Sequence, residues 1–251
     1  METLNFSAPN LGILVLTLLC ITGIALATHQ AKSRIRDRTY FKKVYVFYGI
    51  FFLSVLLLIG LSVSGFFYNF TALPPRSGVL LLVFLSFILF LSLQKMQRGL
   101  KLLLVLPAHW LVVCQVYRLG AELILAGLYA ENIVPRELTW YGRNFDMFVA
   151  LFAIPVALLL WKKYRHAYSI ALLFNGFSLL SLANILFIAF FSLPSPFQKY
   201  ETNLLTSYFP GILIPAFLAP LAVYISIVSL KQCLYLSAKG AAKVQVGLLE
   251  D

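Results

Sequence analysis

Arg118 and Glu122 lie four residues apart inside the apolar stretch 102–129. That spacing stacks both side chains on one face of a helix. Charge inside a membrane-length apolar run is expensive, so such residues turn inward toward partners, pathways or ligands. Counting back along the same face gives Gln115 and Leu111, with Pro107 and His109 nearer the start of the stretch. Arg118 has a planar fork of donors suited to an anionic group. Glu122 can pair with Arg118 or accept a proton. The chemistry this allows is a polar pocket for a small charged or zwitterionic molecule, or a proton relay through Glu122. A buried ion-pair network that only fixes helix packing accounts for the same residues.

A second cluster follows at Trp140-Tyr141-Gly142-Arg143-Asn144-Phe145-Asp146. Asn144 or Asp146 can cap the helix that begins there, since both side chains accept from free backbone N–H groups. Gly142 permits a tight turn into it. Counting from the outer end of its helix puts Glu122 ~9 Å deep and Arg118 ~15 Å deep. Arg143 and Asp146 lie near the depth at which Glu122 emerges, so the four charges can form a neutral network. Asn184 has nearly the depth of Arg118, while Asn175, nine residues away, faces the opposite side. At most one of the two is expected to join.

The elements that must position these groups are membrane helices. The 251 residues are 61% hydrophobic and 12% charged, with a mean hydropathy of +0.89. Soluble chains carry about 25% charged residues. The composition excludes a secreted disulfide scaffold, a disordered chain and an ordinary cytosolic enzyme. Seven stretches approach the roughly 20 residues needed to cross a bilayer: 11–28, 44–67, 77–93, 102–129, 145–161, 168–193 and 209–230. The fold expected is an all-α, polytopic bundle of seven transmembrane helices in one domain, covering 1–251.

Positive charge sets the direction. Six basic residues fall in the loop between Lys32 and Lys43, and Lys95, Arg98 and Lys101 fall in the third loop. Lys162, Lys163 and Arg165 occupy the fifth loop, and Lys231, Lys239 and Lys243 the tail. The other side has Arg76, Arg136, Arg143 and Lys199. This places the N-terminus outside and the C-terminus in the cytoplasm. The first span reads as a retained helix, because no basic residue precedes it and cleavage at Ala25-Leu26-Ala27 would export the most basic loop. The net charge of +11 is then a topology determinant and needs no nucleic acid.

Other chemistries lack their residues. His29, His109 and His166 are far apart in sequence, two of them in predicted loops, and none has the spacing of a zinc site. Four haem ligands cannot be assembled from three histidines. No phosphate loop, catalytic triad or nucleophile elbow is readable, so no cofactor is implied and the reading leans away from an enzyme. Cys20, Cys114 and Cys233 fall in helices or at their cytoplasmic ends, which leaves no exported disulfide. Pro107, Pro155, Pro215 and Pro220 fall within spans and are expected to bend them, the seventh most of all.

Rhodopsins are excluded because stretch 209–230 has no lysine, and the sequence lacks the G-protein-coupled receptor motifs. Gln115-Val116-Tyr117-Arg118 with Glu122, then Pro135 and Gly142-Arg143-Asn144-Phe145-Asp146, resembles a group of uncharacterised bacterial seven-helix integral membrane proteins. The resemblance covers residues 105–155 and implies a bacterial cytoplasmic membrane, with no substrate. The function expected is binding or transport of a small polar or charged molecule in an outer-half pocket. Its expected residues are Gln115, Arg118, Glu122, Arg143, Asn144, Asp146 and Asn184. The alternative is a membrane scaffold or partner subunit, for which Gly49, Ser54, Gly60, Ser62, Ser64 and Gly65 offer a close-packing face. The partners expected are the lipid bilayer and a small-molecule ligand, with a homo-oligomer or a membrane partner protein as further ones.

Overall fold

A computed structural model describes residues 7–34, 38–68, 105–194 and 197–250. Among them the chain is all-α. Helix α1 spans Ala8–Arg34, α2 Arg38–Val63, α3 Ala108–Ala130, α4 Asp146–Trp161, α5 Ala167–Phe191 and α6 Ala219–Glu250. Five segments are long and apolar enough to cross a membrane: Ala8–Arg34, Val44–Val63, Ala108–Ala130, Ala167–Phe191 and Ile214–Ala238. The expected span 77–93 lies outside the described residues.

Several boundaries differ from the expected ones for local reasons. Helix α3 begins at Ala108, because Pro107 takes extended backbone (φ −59°, ψ 134°) and caps it without an N–H to donate. Inside α3 the turn Cys114–Val116 tightens to a 3-10 geometry. Most of the expected basic loop between Lys32 and Lys43 is helical, with only 35–37 separating α1 from α2, and His29 sits in α1. The expected C-terminal tail continues as helix to Glu250. Helix α6 is preceded by a π-helical turn, Ile214–Leu218, beside Pro215 and Pro220.

Large apolar side chains cover the outside of the bundle, and between its apolar core clusters runs a buried polar layer. The buried stripe of α5 is Ala171, Phe174, Asn175, Ser178, Ser181 and Leu182, while Leu173, Leu180 and Phe187 point outward. Helix α6 answers with Ala222, Ser226, Ser229 and Cys233. Small side chains let two backbones approach, and lipid receives the large apolar ones without penalty. Asn175 Nδ2 donates to Ser229 Oγ at 3.0 Å and the hydroxyls of Ser178 and Ser226 lie 2.9 Å apart, tying α5 to α6.

Hydrogen bonds close the two ends. At one, Arg34 Nη1 donates to the Val105 carbonyl at 3.1 Å and Gln232 Nε2 to Leu106 at 2.6 Å. At the other, Ser7 Oγ donates to Glu131 Oε2 at 3.0 Å, Tyr208 to Asn10 Oδ1 at 3.2 Å, and Ser62 to the Thr206 carbonyl at 3.2 Å. Burial, with Glu131 nearby, pushes the Tyr208 phenol up, so it stays an O–H donor.

The segment 131–145, between α3 and α4, decides where the site sits. Asn184 lies seven residues before the end of α5, ~10 Å along its axis, and its Nδ2 donates to the Arg143 carbonyl at 2.7 Å. Glu122 lies eight residues before the end of α3, ~12 Å along, and accepts from Asn144. The segment therefore dips about two turns below the helix ends before α4 starts. At 16 residues, α4 is ~24 Å long, short of the ~30 Å hydrocarbon core.

Irregular backbone at that depth is tolerated only when protein surrounds it and satisfies its polar groups. Val134, Leu138, Thr139 and Asn144 are buried. The Arg136 carbonyl accepts from Thr139 N and Oγ1, Thr139 from Gly142 N and Asn144 N, and Glu137 from Arg143 N. Gly142 is required by close approach: a Cβ there would come within 2.6 Å of Glu137 Cα.

Candidate functional site

Arg118 and Glu122 project from the Tyr117–Ala130 part of α3 and are 2% and 1% exposed. They share a face, as the spacing demands, but they are not bonded to each other. Arg118 Nε donates to Asp146 Oδ2 at 2.9 Å and Nη2 to Asp146 Oδ1, a forked ion pair with the first residue of α4. Its Nη1 donates to Gln115 Oε1 at 3.3 Å and to Ser178 Oγ. Ser181 Oγ donates to Asp146 Oδ1 from α5. Nε, Nη1 and Nη2 of the guanidinium are thus all engaged within the bundle.

Gln115 extends the network. Its Nε2 donates to Asn175 Oδ1 at 3.1 Å, while its Oε1 receives Ser178 Oγ at 2.8 Å and Ser226 Oγ at 3.3 Å. Asn175 also donates to the Ala171 carbonyl at 2.7 Å. Polar groups from α3, α4, α5 and α6 thus meet in one buried layer whose partners satisfy one another.

Glu122 belongs to the edge of this layer. Asn144 Nδ2 donates to Glu122 Oε1 and also to the Leu138 carbonyl at 2.9 Å, while Asn144 Oδ1 accepts from Asp146 N at 2.9 Å. One amide therefore joins α3, the dipping segment and the first turn of α4. The other carboxylate oxygen, Glu122 Oε2, is buried and has no hydrogen-bond partner among the described residues. Leaving a charged acceptor buried and unpaired costs more than the 1–3 kcal/mol typical of a neutral polar group.

The expected site residues divide accordingly. Gln115, Arg118, Glu122, Asn144 and Asp146 come together. Arg143 is exposed and contributes its carbonyl, not its guanidinium, to the contact with Asn184. The expected four-charge network is therefore a three-charge one: one arginine and two carboxylates. The expected pairing of Arg118 with Glu122 is replaced because Asp146, at the buried start of α4, can approach the guanidinium with both oxygens. Asn175 enters through Gln115, whereas Asn184 stays at the rim.

Ser178, Ser181, Ser226 and Ser229 escaped the sequence reading. Their signal was present: Ala171, Asn175, Ser178 and Ser181, like Ala222, Ser226 and Ser229, repeat every three or four residues in otherwise apolar helices. Among the described residues no group of three His, Cys, Asp or Glu side chains is placed to hold a metal ion. Comparison with family models, curated proteins and solved structures finds no match to this chain. The apolar helices make it a membrane protein; its function has to be read from the chemistry of the buried layer.

Proposed function

We propose that the chain is a seven-helix integral membrane protein that binds or transports a small polar or charged molecule at Glu122. The site lies in the outer half of the bundle, where Asn144 and the segment 131–145 cover it from the outer end. The observation that carries this reading is the unpartnered Glu122 Oε2 in a layer whose other charges are matched. Arg118 and Asp146 hold the walls in place; they do not themselves grip the ligand, since doing so would require their own pair to open.

The helix beyond the six described is assigned to 77–93, the third span in chain order, and the N-terminus to the outside. Supporting this, Lys32, Arg34, Lys162, Lys163 and Arg165 lie at or beside helix ends on the side of the Arg34–Val105 contact, and Lys231 lies within α6 next to Gln232, which bonds Leu106 there. The membrane is the plasma membrane, the cytoplasmic membrane of a bacterium if the Gly-Arg-Asn-Phe-Asp resemblance holds.

A second reading draws on the saturation of Arg118. A network with nearly every donor used is what a scaffold or partner subunit would need to fix helix register. The two readings part at Glu122. A thermal-shift screen of small polar compounds on purified protein, wild type beside Glu122→Gln, separates them. A ligand at 100 times its Kd adds about 2.7 kcal/mol of stability. The binding reading expects a compound that shifts the wild type and not the variant; the scaffold reading expects none, with the protein responding only to a partner.

A further inference from the structure

Resting on the reading of Glu122 as an open site, we infer that what it takes is a unit positive charge, not an anion. The buried layer holds one guanidinium, Arg118, and two carboxylates, Asp146 and Glu122. Asp146 uses both oxygens on Arg118, so the positive charge is already matched. Among the described residues Glu122 has only the amide of Asn144 on one oxygen and nothing on the other. With both carboxylates ionised the layer carries one uncompensated negative charge in an apolar bundle, an unfavourable state.

Among the described residues the neighbouring elements supply no second cation: in the segment 131–145, Arg136 Nε donates to the Tyr141 carbonyl and Arg143 is exposed. The groups that α5 and α6 bring to this layer are Asn175, Ser178, Ser181, Ser226 and Ser229. Helix α1 meets this part of α3 with Leu16 against Gly120 and Gly12 against Ile124. Among the described residues, the charged groups that bear on Glu122 are therefore Arg118 on α3 and Asp146 on α4. One missing charge fits a monovalent species: a proton, an alkali cation, or the ammonium head of a small amine. A divalent ion would reverse the imbalance, and an anionic ligand would deepen it. Because Asn144 shares Glu122 Oε1, occupation of the site also bears on how tightly the segment 131–145 is held.

The test uses the full chain in detergent at constant ionic strength, reading melting temperature. Choline chloride is the reference; sodium, potassium and methylammonium chloride are the probes, each repeated across pH 5 to 8.5. The inference expects the wild type to rise by about 5 °C or more with one of these, or on acidification. It expects Glu122→Gln, which removes the charge deficit, to melt alike in all of them. Which arm moves the wild type identifies the cation as metal ion, amine or proton. If Glu122→Gln does not fold, the wild-type comparison still decides. A wild type indifferent to pH and to every cation overturns the inference. If an anionic or neutral compound then shifts the wild type, Glu122 remains a site and only its charge preference falls; if nothing does, both fall.

Discussion

Arg118 and Glu122 stand one turn apart on the same face of α3, yet each takes its partner from the start of α4: Arg118 from Asp146, Glu122 from Asn144. Two residues separated by a single phenylalanine thus receive the two charges of one helix face. That arrangement divides the layer into a closed ion pair and a carboxylate with one oxygen open.

The closed pair gives the first prediction. Arg118→Gln leaves Asp146 buried without its cation and should cost about 3–5 kcal/mol. Asp146→Asn strands the guanidinium and should cost a similar amount. The double variant Arg118→Gln/Asp146→Asn should recover a large part of either loss, because two neutral amides can bond where one stranded charge cannot. Chemical denaturation of all four proteins in the same detergent gives the coupling energy, and a value near zero would show that the pair is not what holds α3 to α4.

Asn144 is predicted to matter through its three bonds. Asn144→Ala should lower stability by about 2–3 kcal/mol, since it frees the Leu138 carbonyl, the Asp146 N–H and Glu122 Oε1. Asn144→Asp should be worse than Ala, because it sets a second carboxylate against Glu122. Limited proteolysis after Arg136 and Arg143 should become faster in both. Equal melting of the Asp and Ala variants would mean that the Glu122 contact is not made.

Glycines separate into tight and open positions. Gly127→Ala would set its Cβ 2.6 Å from Pro9 Cγ, where α3 meets the start of α1, and should cost about 1–3 kcal/mol. Gly142→Ala should cost at least as much, since the obstacle there is backbone. Gly60→Ala meets nothing within 4 Å among the described residues and should leave the melting temperature unchanged or slightly raised. Thermal melts of the three variants check the order.

The small-residue seam between α5 and α6 is predicted to resist bulk more than loss of a hydroxyl. Ser229→Ala removes one bond to Asn175 and should cost about 1 kcal/mol. Ser229→Leu, at a fully buried position, should wedge the helices apart and cost several times as much. Comparable effects of Ala and Leu would place Ser229 away from the seam.

Much of this was readable from the residues because hydropathy and spacing act locally. The apolar runs among the described residues are helices, the four-residue spacing fixed Arg118 and Glu122 on one face, and Asn144 accepts a backbone N–H at the start of α4. What the sequence could not specify was the path of the linker 131–145. A linker of 15 residues reads as a surface loop; only the contacts of Asn144 with Glu122 and of Asn184 with the Arg143 carbonyl reveal that 131–145 folds into the bundle. That dip brings Asp146, not Glu122, to Arg118. The serines of α5 and α6 were hidden for another reason: a hydroxyl barely changes the hydropathy of an apolar window, though its repeat marks the inward face. The helix lengths slipped where charged residues continue a helix past the bilayer, as at Arg34 and beyond Leu230.

The most direct test of Glu122 as the open position is the stability of Glu122→Gln set beside Arg118→Gln, without any added ligand. If the carboxylate is an unmatched charge waiting for a partner, Glu122→Gln melts at or above the wild type while Arg118→Gln melts well below it. If Glu122→Gln falls as far as Arg118→Gln, Glu122 is a structural member of the network and the proposed site does not exist.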